Sequence, residues 1–343
     1  MKCPVCGEDC VESAHEIINQ LPSIFAPCPK CSARTLDKSA PLKEQSFREP
    51  CACGKRYIDE TFAHIYTIFV EEGILSPSSP LKDVGYPLTH PGFAMATAPY
   101  LKKDTLVLLS PVVSSTAAER VVTEVPEIKG VVKCGRFVPG ALDVDLAKEP
   151  QTYELLAGCD VRADVFYTQT HPVVTYKQQS RLHIEFPRGY DPKIVSVGAH
   201  IKHLLPRIFV DACCGAGTLG ILGGMLGVPR VFLNDAWYAA AFWAGFNLKV
   251  NSEFLLVGSV HILKEYQDME NQPVRKEPEL IAEAHGDQHI EVYHGDFRRL
   301  SQVLPRERGI LTVIDLFEKG NSEFNKKLEQ EWRGQVGGDV FIP

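Results

Sequence analysis

A buried strand that runs into a glycine-rich turn constrains this chain more than any other feature. The apolar residues 208–210 are followed by Asp211 and then by Gly215, Gly217 and Gly220. Glycines at such a turn let the backbone pass close to a bound ligand, because no Cβ atom stands in the way. The segment therefore predicts a strand, a ligand-binding turn and the start of a helix.

The same spacing satisfies Gly-x-Gly-x-x-Gly, the fingerprint of dinucleotide sites, but two observations favour S-adenosylmethionine. Asp211 stands before the glycines, where a carboxylate repels a pyrophosphate and accepts bonds from the cationic methionyl end of S-adenosylmethionine. The chain of 343 residues also ends too soon after Gly220 to hold a full dinucleotide domain and a substrate domain. Asp211, Gly215 and Gly217 are therefore expected to bind this cofactor.

The next three predicted strands also end in acidic residues. We expect Asp235, with Ala236 beside it, to bind the two ribose hydroxyls of the cofactor. Asp296 is placed to accept the adenine amino group, and Phe297 to pack on the adenine ring. Asp315 is the candidate catalytic residue, placed to orient or deprotonate the acceptor. Because ligands of open α/β sheets bind at the carboxyl ends of the strands, these acids are expected to meet at one site. The alternative is an α/β domain that binds no nucleotide and uses the acids as helix caps.

With these residues the sequence resembles the class I S-adenosylmethionine-dependent methyltransferases. Within them it is most similar to the archaeal and eukaryotic tRNA guanine-N1 methyltransferases and their wyosine-pathway relatives. Asn247 and Asn251 follow the ribose acid as in that group, and Tyr153–Gly158 resembles the group's segment before its small β-rich domain. The resemblance covers roughly residues 130–320. It implies a Rossmann-like fold, S-adenosylmethionine as cofactor and tRNA as substrate.

The sequence departs from this group after the fourth predicted strand. The group carries Asn-Pro-Pro-Tyr or Asp-Pro-Pro-Phe there, a turn that holds a target amine near the methyl donor. Residues 315–320 instead read Asp-Leu-Phe-Glu-Lys-Gly, without a proline. The chain also ends soon after Val340, so the last strands of the methyltransferase sheet are expected to be absent or supplied from upstream.

Cysteines at short spacing mark the N-terminal region. Seven of the eleven cysteines lie in the first 53 residues. The close pairs are Cys3/Cys6, Cys28/Cys31 and Cys51/Cys53. Two such pairs supply the four thiolates that tetrahedral zinc prefers, whereas an iron–sulfur cluster is less typical of these spacings. The region is short and poor in apolar residues, so a structural zinc ribbon is predicted.

Which cysteines share an ion stays open at this stage. Either Cys28/Cys31 and Cys51/Cys53 form one site, or Cys3/Cys6 joins one of these pairs. Cys10 and His15 are candidates for completing a second site. The isolated Cys134 and Cys159 are expected to be packing residues, and Cys213 and Cys214 in the cofactor turn receive no nucleophilic role.

The chain divides into three predicted regions. Residues 1–75 hold the cysteine-rich ribbon and a helix from Asp59 to about Gly73. Residues 76–200 form a β-rich middle domain that follows a linker at 77–85. Residues 201–343 form the Rossmann-like domain, in which strands alternate with helices. The predicted strands are 106–109, 131–133, 182–186, 208–210, 231–234, 290–293, 311–314 and 339–342, and the last helix is 321–332.

Composition places limits on the partners. Hydrophobic residues make up 45% of the chain, no apolar run reaches the ~20 residues of a membrane span, and the N-terminus lacks a signal-peptide core, so a cytoplasmic protein that does not enter a membrane is expected. The net charge of −7 argues against uniform binding to phosphates. Residues 176–207 carry six basic and two acidic residues, which gives either a modest basic patch or an ordinary solvated surface.

These observations favour a methyltransferase that acts on RNA, with a tRNA-like molecule as the preferred partner. One alternative is a methyltransferase that acts on a protein or on a small molecule and uses the ribbon for docking. The other is a non-catalytic protein that binds S-adenosylmethionine. The net charge and the missing proline turn count against the RNA hypothesis.

Overall fold

The computed structural model describes residues 1–43, 46–141, 150–316 and 322–343. The α-helices in these ranges are α1 Ala14–Gln20, α2 Ile58–Glu71, α3 Ser115–Glu124, α4 Pro192–Leu204, α5 Thr218–Met225, α6 Tyr238–Val250, α7 Tyr266–Met269 and α8 Ser322–Gln335. The strands are β1 Arg56–Tyr57, β2 Tyr86–Thr89, β3 Tyr100–Leu101, β4 Leu106–Ser110, β5 Ile128–Lys133, β6 Glu154–Gly158, β7 Val161–Phe166, β8 Val173–Gln178, β9 Ile208–Asp211, β10 Arg230–Asp235, β11 Val257–Ile262, β12 Glu279–Gly286, β13 His289–His294, β14 Ile310–Val313 and β15 Asp339–Phe341.

The C-terminal sheet has seven strands in the order β11-β12-β13-β10-β9-β14-β15. The strands from β13 to β15 are parallel to one another, whereas β11 and β12 are antiparallel to their neighbours. Read in chain order, the parallel part runs 3-2-1-4-5, which is the doubly wound order with a reversal beside its first strand. The prediction of a Rossmann-like α/β domain is therefore confirmed, and its candidate ligand crevice lies beside β9.

Two strands of this sheet are missing from the sequence prediction. The hairpin β11–β12 joins the edge of β13, between α6 and β13 in the chain. Its residues include several Glu and Ala, which are weak strand formers. At the other edge of the sheet, β15 is the outermost strand among the described residues. The extra strands come from an internal insertion and not from an upstream segment.

A second sheet forms the middle of the molecule. It has the order β2-β4-β5-β6, and β4 and β5 are parallel because α3 connects them. Helix α2, predicted from its apolar periodicity, buries its apolar face in the same cluster as α3 and β4. The predicted linker at 77–85 contains a short 3₁₀ helix whose Leu81 and Val84 are buried in that cluster. The boundaries of the three domains stay a prediction.

The strand predicted at residues 182–186 is wrong. The segment lies beside the antiparallel hairpin β7–β8, which the sequence analysis missed, and it forms no ladder. Its contacts are made by side chains: Arg162 donates to the carbonyl of Glu185 at 2.7 Å, and Leu182 is buried. Of its three apolar residues only Leu182 is buried, whereas Phe186 is 66% exposed, so the alternating pattern here reflects neither strand pairing nor a buried face.

Two asparagines of α6 attach the β7–β8 hairpin to the Rossmann-like domain. Asn247 Oδ1 accepts from the backbone N–H of Tyr176 at 2.7 Å, and its Nδ2 donates to the carbonyl of the same residue at 2.8 Å. Asn251 makes the equivalent pair of bonds to Val174 at 3.1 and 2.7 Å. Since both side chains are fully buried, they pair with the open edge of β8 as a neighbouring strand would. The asparagine pattern noted in the sequence therefore has a structural explanation.

Candidate functional site

A cavity of about 760 Å³ lies at the carboxyl ends of β9, β10, β13 and β14. The parallel register aligns these ends, because Asp211 of β9 lies opposite both Leu233 of β10 and Val313 of β14. The predicted site residues that line the cavity are Asp211, Gly215, Asp235, Ala236, Phe297 and Asp315. Within the described residues, Gly217 and Asp296 do not belong to its wall. The structure therefore brings together most of the predicted site.

The turn after β9 needs glycine for two different reasons. Gly215 and Gly217 have φ angles of 53° and 90°, the left-handed region that favours glycine. At Gly215 an added Cβ would meet no atom within 4 Å, so this position faces open space. At Gly220 an added Cβ would lie 2.4 Å from Leu233 Cδ2, so the third glycine allows α5 to pack on β10. Only the first of the three faces the cavity.

Asp211 is fully buried at the end of β9, with one of its oxygens unpaired. Its Oδ2 accepts from the backbone N–H of Gly220 at 2.8 Å, and its Oδ1 has no hydrogen-bond partner among the described residues. Burial, followed by the negative charge of Asp315, raises the pKa of Asp211 to about 8. A buried carboxyl group of this kind favours a ligand that brings a positive charge.

Asp235 ends β10 and binds the glycine turn. Its Oδ2 accepts from the backbone N–H of Gly215 at 2.9 Å, and its Oδ1 accepts from that of Trp237 at 2.9 Å. Burial raises the pKa of this carboxyl to about 6, although the two backbone donors oppose the shift. Each carboxylate oxygen has a second lone pair, so both can still accept a ligand hydroxyl.

The Asp296 carboxylate binds Arg298, two residues further along the chain. Its Oδ1 accepts from the backbone N–H of Arg298 at 3.0 Å and caps a short 3₁₀ helix, and its Oδ2 forms an ion pair with the Arg298 guanidinium at 3.0 Å. The cavity wall at this strand end consists of Phe297 and Arg298. An adenine contact through Asp296 stays a prediction, whereas the apolar ring of Phe297 is in place to pack on a base.

Asp315 lies just beyond β14 and pairs with Lys193 across the cavity wall. Lys193 is in the first turn of α4, which begins at Pro192 and is capped by Asp191 accepting from two backbone N–H groups. This cap directs the lysine towards β14. The sequence analysis missed Lys193 as a site residue, because only the fold brings it to Asp315. Residues 317–320, where the proline turn of the resembling group is missing, lie outside the described residues.

The basic run at 176–207 is not one surface patch. Lys177 is only 2% exposed and pairs with Glu185 at 2.5 Å and with Asp164 at 3.5 Å. Asp164 also pairs with Arg162, so the hairpin β7–β8 carries a buried network of charges. Lys177, His183 and Glu185 all line the cavity.

The two cysteines of the cofactor turn lie in the cavity wall but remain thiols. Burial, followed by the nearby acids, raises the pKa of Cys213 and of Cys214 well above the usual value for a thiol. A nucleophilic cysteine needs the opposite shift. The structure therefore agrees with the prediction that neither residue attacks a substrate.

Cys28, Cys31, Cys51 and Cys53 converge in one group whose sulfur atoms all lie within 4.8 Å of one another. The closest Sγ–Sγ distances are 3.6 and 3.7 Å. Four thiolates bound to one tetrahedral zinc ion at Zn–S ~2.3 Å lie about 3.8 Å apart. The donor set fits zinc, and it selects the first of the two pairings that the sequence left open.

The remaining N-terminal cysteines form a second group with a distant partner. Cys3, Cys6 and Cys10 meet Cys159, also within 4.8 Å of one another. Cys159 is buried in the core cluster, as expected of a packing residue, but it is not isolated, because the β6–β7 turn brings its Sγ to a segment 156 residues away. His15 is not part of the group and lies 3.9 Å from Glu253 instead. No signal in the sequence pairs Cys159 with the N-terminus.

No family model matches this chain, and no curated protein matches it. Among solved structures, it is similar to TYW2 of P. horikoshii in complex with MeSAdo, at 13% identity and a TM-score of 0.39, over 82% of this chain and 78% of that one. It is also similar to Trm1 of Pyrococcus horikoshii with S-adenosyl-L-methionine, at 20% identity and a TM-score of 0.29, over 46% and 39% of the two chains. Trm5b of Pyrococcus abyssi matches at 13% identity and a TM-score of 0.35, over 68% and 56%.

This chain thus spans most of TYW2 but only 39% of Trm1 and 56% of Trm5b. The TM-scores are low, so the function has to be inferred from the residues of this chain. Among the described residues, each helix is too short or too polar to cross a membrane.

Proposed function

We propose that this protein is an S-adenosylmethionine-dependent methyltransferase that acts on a tRNA-like RNA. The observation that carries the proposal is that backbone amides of the glycine-rich segment bind carboxylates of the protein itself. The N–H groups of Gly215 and Gly220 both donate to carboxylates, those of Asp235 and Asp211. In a dinucleotide site such amides and the helix N-terminus bind phosphate. Because acidic side chains occupy them here, the cavity favours a ligand with positive charge.

S-adenosylmethionine has the required charges and groups. It carries a sulfonium and an ammonium group at one end, which suit the buried Asp211 with its unpaired Oδ1. Its ribose diol suits Asp235, and its adenine suits the apolar wall at Phe297. The Asn234 side chain behind them is fully buried, and its Oδ1 is also unpaired among the described residues. The donor and acceptor pattern of the wall therefore fits this cofactor.

The bound cofactor would supply an electrophilic methyl group on its sulfonium centre. The chain's own residues would position the acceptor, since an in-line displacement depends mainly on alignment. Asp315 is the proposed acceptor-binding residue, and Lys193 would fix the orientation of its carboxylate. The missing proline turn suggests that an acceptor amine is held differently from the resembling tRNA group.

The segment beside the cavity supports an RNA substrate. Phe186 and Tyr190 are 66% and 65% exposed, and Arg188 between them is also exposed. The residues that flank this segment, Glu185 and Asp191, line the cavity. Exposed aromatic side chains stack on unpaired bases, and an arginine adds contacts to phosphate or to a base plane. We call residues 186–190 the stacking segment.

A labelled-methyl assay tests the proposal directly. The purified protein is incubated with S-adenosylmethionine carrying a tritiated methyl group and with total tRNA, total protein or no acceptor. Label in tRNA is expected. Label in the protein fraction would favour a protein methyltransferase, and cofactor binding without transfer would favour a non-catalytic protein. Absence of cofactor binding in calorimetry would overturn the whole proposal.

Variants of the stacking segment separate the RNA step from the cofactor step. Phe186→Ala combined with Tyr190→Ala is expected to weaken tRNA binding by about tenfold or more, since each stacked base contributes ~1–3 kcal/mol. Cofactor affinity should stay unchanged. Tyr86→Ala is the matched control, because Tyr86 is 63% exposed on β2 and does not line the cavity. Equal tRNA binding by the two variants would remove the stacking segment from the interface.

We also propose that the group Cys28, Cys31, Cys51 and Cys53 holds a structural zinc ion. It cross-links two loops that lie between α1 and α2 in the chain, and its cysteines do not line the cavity. In a region with few apolar residues, the metal–thiolate bonds replace a hydrophobic core. The cytoplasmic location and the possible protein substrate stay predictions.

A further inference from the structure

We infer that Cys3, Cys6, Cys10 and Cys159 form a second structural zinc site, with Lys129 as the buried counter-charge of the metal–thiolate group. This site goes beyond the proposed methyl transfer, because its cysteines line no part of the cavity. It would bind the N-terminal segment to the β6–β7 turn. The two zinc ions would then lie in independent four-cysteine groups.

The sulfur positions fit one tetrahedral ion. The Sγ of Cys159 lies 3.9 Å from that of Cys3 and 4.0 Å from that of Cys10, and Cys6 lies 3.6 Å from Cys10. These distances are close to the ~3.8 Å expected for tetrahedral zinc. They are far too long for disulfide bonds, whose sulfurs lie ~2.0 Å apart. Thiolates that ligate the separate irons of a cluster would also lie farther apart than these.

Lys129 gives the independent observation. Its side chain is 92% buried in β5, and its Nζ has no hydrogen-bond partner among the described residues. Its backbone carbonyl accepts from the N–H of Cys159 at 2.8 Å, and its charge acts on both Cys10 and Cys159. A buried ammonium group without a partner is costly. Four thiolates on one Zn²⁺ carry two negative charges, which supply the missing counter-ion.

Two glycines place Cys159 where the N-terminal segment can reach it. An added Cβ at Gly158 would lie 2.3 Å from the carbonyl oxygen of Lys129, and one at Gly130 would lie 2.5 Å from that of Cys159. Strands β5 and β6 therefore approach closely at this point. Gly158 also has a φ of 73°, which favours glycine. The close approach of β5 and β6 thus fixes the position of Cys159.

The N-terminal segment is held against the rest of the molecule by apolar packing, as of the buried Val11, and by the cysteine group. Residues 1–11 close on themselves through bonds such as Cys3 N–H to Glu8 and the terminal amine to Val11. The described hydrogen bonds from this loop to the rest of the molecule are few, one of them from Gln267 to Pro4 at 2.8 Å. Cys3 itself is 2% exposed and Cys159 is 7% exposed. A metal ion here would fix the loop against β5 and α7 together.

Native mass spectrometry of the full chain, purified without chelator, tests the site. Two zinc ions per chain are expected. Cys28→Ser and Cys159→Ser should each leave one ion, whereas Cys134→Ser, a cysteine outside both groups, should leave two. Lys129→Met should weaken the binding of one of the two ions by ~10–100-fold in a chelator competition, as loss of a group next to a metal typically does. Lys133→Met, an exposed lysine on the same strand, should not.

Cysteine alkylation of the wild-type protein gives a second test that does not depend on whether the variants fold. Peptide mapping is expected to show Cys3, Cys6, Cys10 and Cys159 protected in the zinc-loaded protein and labelled after chelation. A single zinc per chain that Cys28→Ser removes, or equal labelling of Cys159 with and without metal, would overturn the inference. Iron instead of zinc in the metal analysis would overturn the identity of the ion.

Discussion

Lys193 and Asp315 form an ion pair at the cavity although 122 residues separate them in the chain. The pair joins the first turn of α4 to the end of β14, and both residues line the cavity. A carboxylate that a lysine holds in one orientation is well suited to position an acceptor group. The same contact would also serve as a purely structural link between α4 and the sheet. The two roles differ in what a substitution at Asp315 changes.

If Asp315 orients the acceptor, Asp315→Asn is expected to lower turnover by at least ~100-fold while cofactor affinity stays nearly unchanged. The reason is that the bond to the acceptor matters most in the transition state. Turnover is measured with the acceptor found in the labelled-methyl assay, and cofactor affinity by calorimetry. If Asp315 only links α4 to β14, stability should fall by ~1 kcal/mol and turnover should hold. That second outcome would leave the protein without an assigned catalytic residue.

Substitution of Asp235 is expected to weaken cofactor binding. Asp235→Ala removes the acceptor for two ribose hydroxyls, each bond to a charged group being worth roughly 1.5–3 kcal/mol. It also frees the N–H groups of Gly215 and Trp237, so the turn itself should loosen. Calorimetry with S-adenosylmethionine should show a loss of affinity of at least about tenfold. Asp287→Ala, at an exposed position, is the control, and equal affinity of both variants would exclude Asp235 from the site.

The glycine turn and the acids at the strand ends could be predicted from the sequence because their signals are local. A buried strand, a left-handed glycine and an acidic residue at a strand end all lie within about ten residues of one another. The predicted ends of β9, β10, β13 and β14 differ from the structure by at most one residue. The shared edge of a parallel sheet then brings the acids together without further information.

The parts that could not be predicted depend on contacts between distant segments. Cys159 reaches the three N-terminal cysteines only because β5 and β6 approach closely at their glycines. Lys193 reaches Asp315 only because α4 packs beside β14. Strands β11 and β12 have weak strand propensity and are stabilised by pairing with β13. The segment 182–186 shows the opposite error, an alternating pattern without a partner strand.

The close contact between α5 and β10 gives a prediction about stability. An added methyl group at Gly220 would lie 2.4 Å from both Cδ2 and Cγ of the fully buried Leu233. Gly220→Ala is therefore expected to destabilise the protein by ~1–3 kcal/mol. Gly334→Ala is the matched control in α8, where the added atom meets nothing within 4 Å and a gain of ~0.5–1 kcal/mol is expected. Denaturant unfolding of both variants measures the difference. Equal stabilities would contradict the packing of α5 on β10.

The raised pKa of Asp211 gives a prediction about pH. Burial, followed by the charge of Asp315, brings this pKa to about 8, so near neutral pH the carboxyl is mostly protonated in the free protein. The cationic end of S-adenosylmethionine binds the ionised form more tightly. Cofactor affinity should therefore rise with pH below about 8, by no more than about tenfold per pH unit, with uptake of the ligand coupled to proton release.

The test compares the wild type with Asp211→Asn between about pH 6.5 and pH 7.5, a window in which the ligand's α-amino group, of pKa ~7.7–8.0, remains mostly charged. Asp235, with a pKa of about 6, is largely ionised there and contributes little to the slope. The variant should bind more weakly and lose the pH dependence. The free protein carries a second signature. Because the folded state holds the Asp211 proton and the unfolded state releases it, stability should fall as pH rises from about 4 to 8, and less so in the variant. Parallel affinity profiles for the two proteins would show that Asp211 does not meet the cationic end of the ligand.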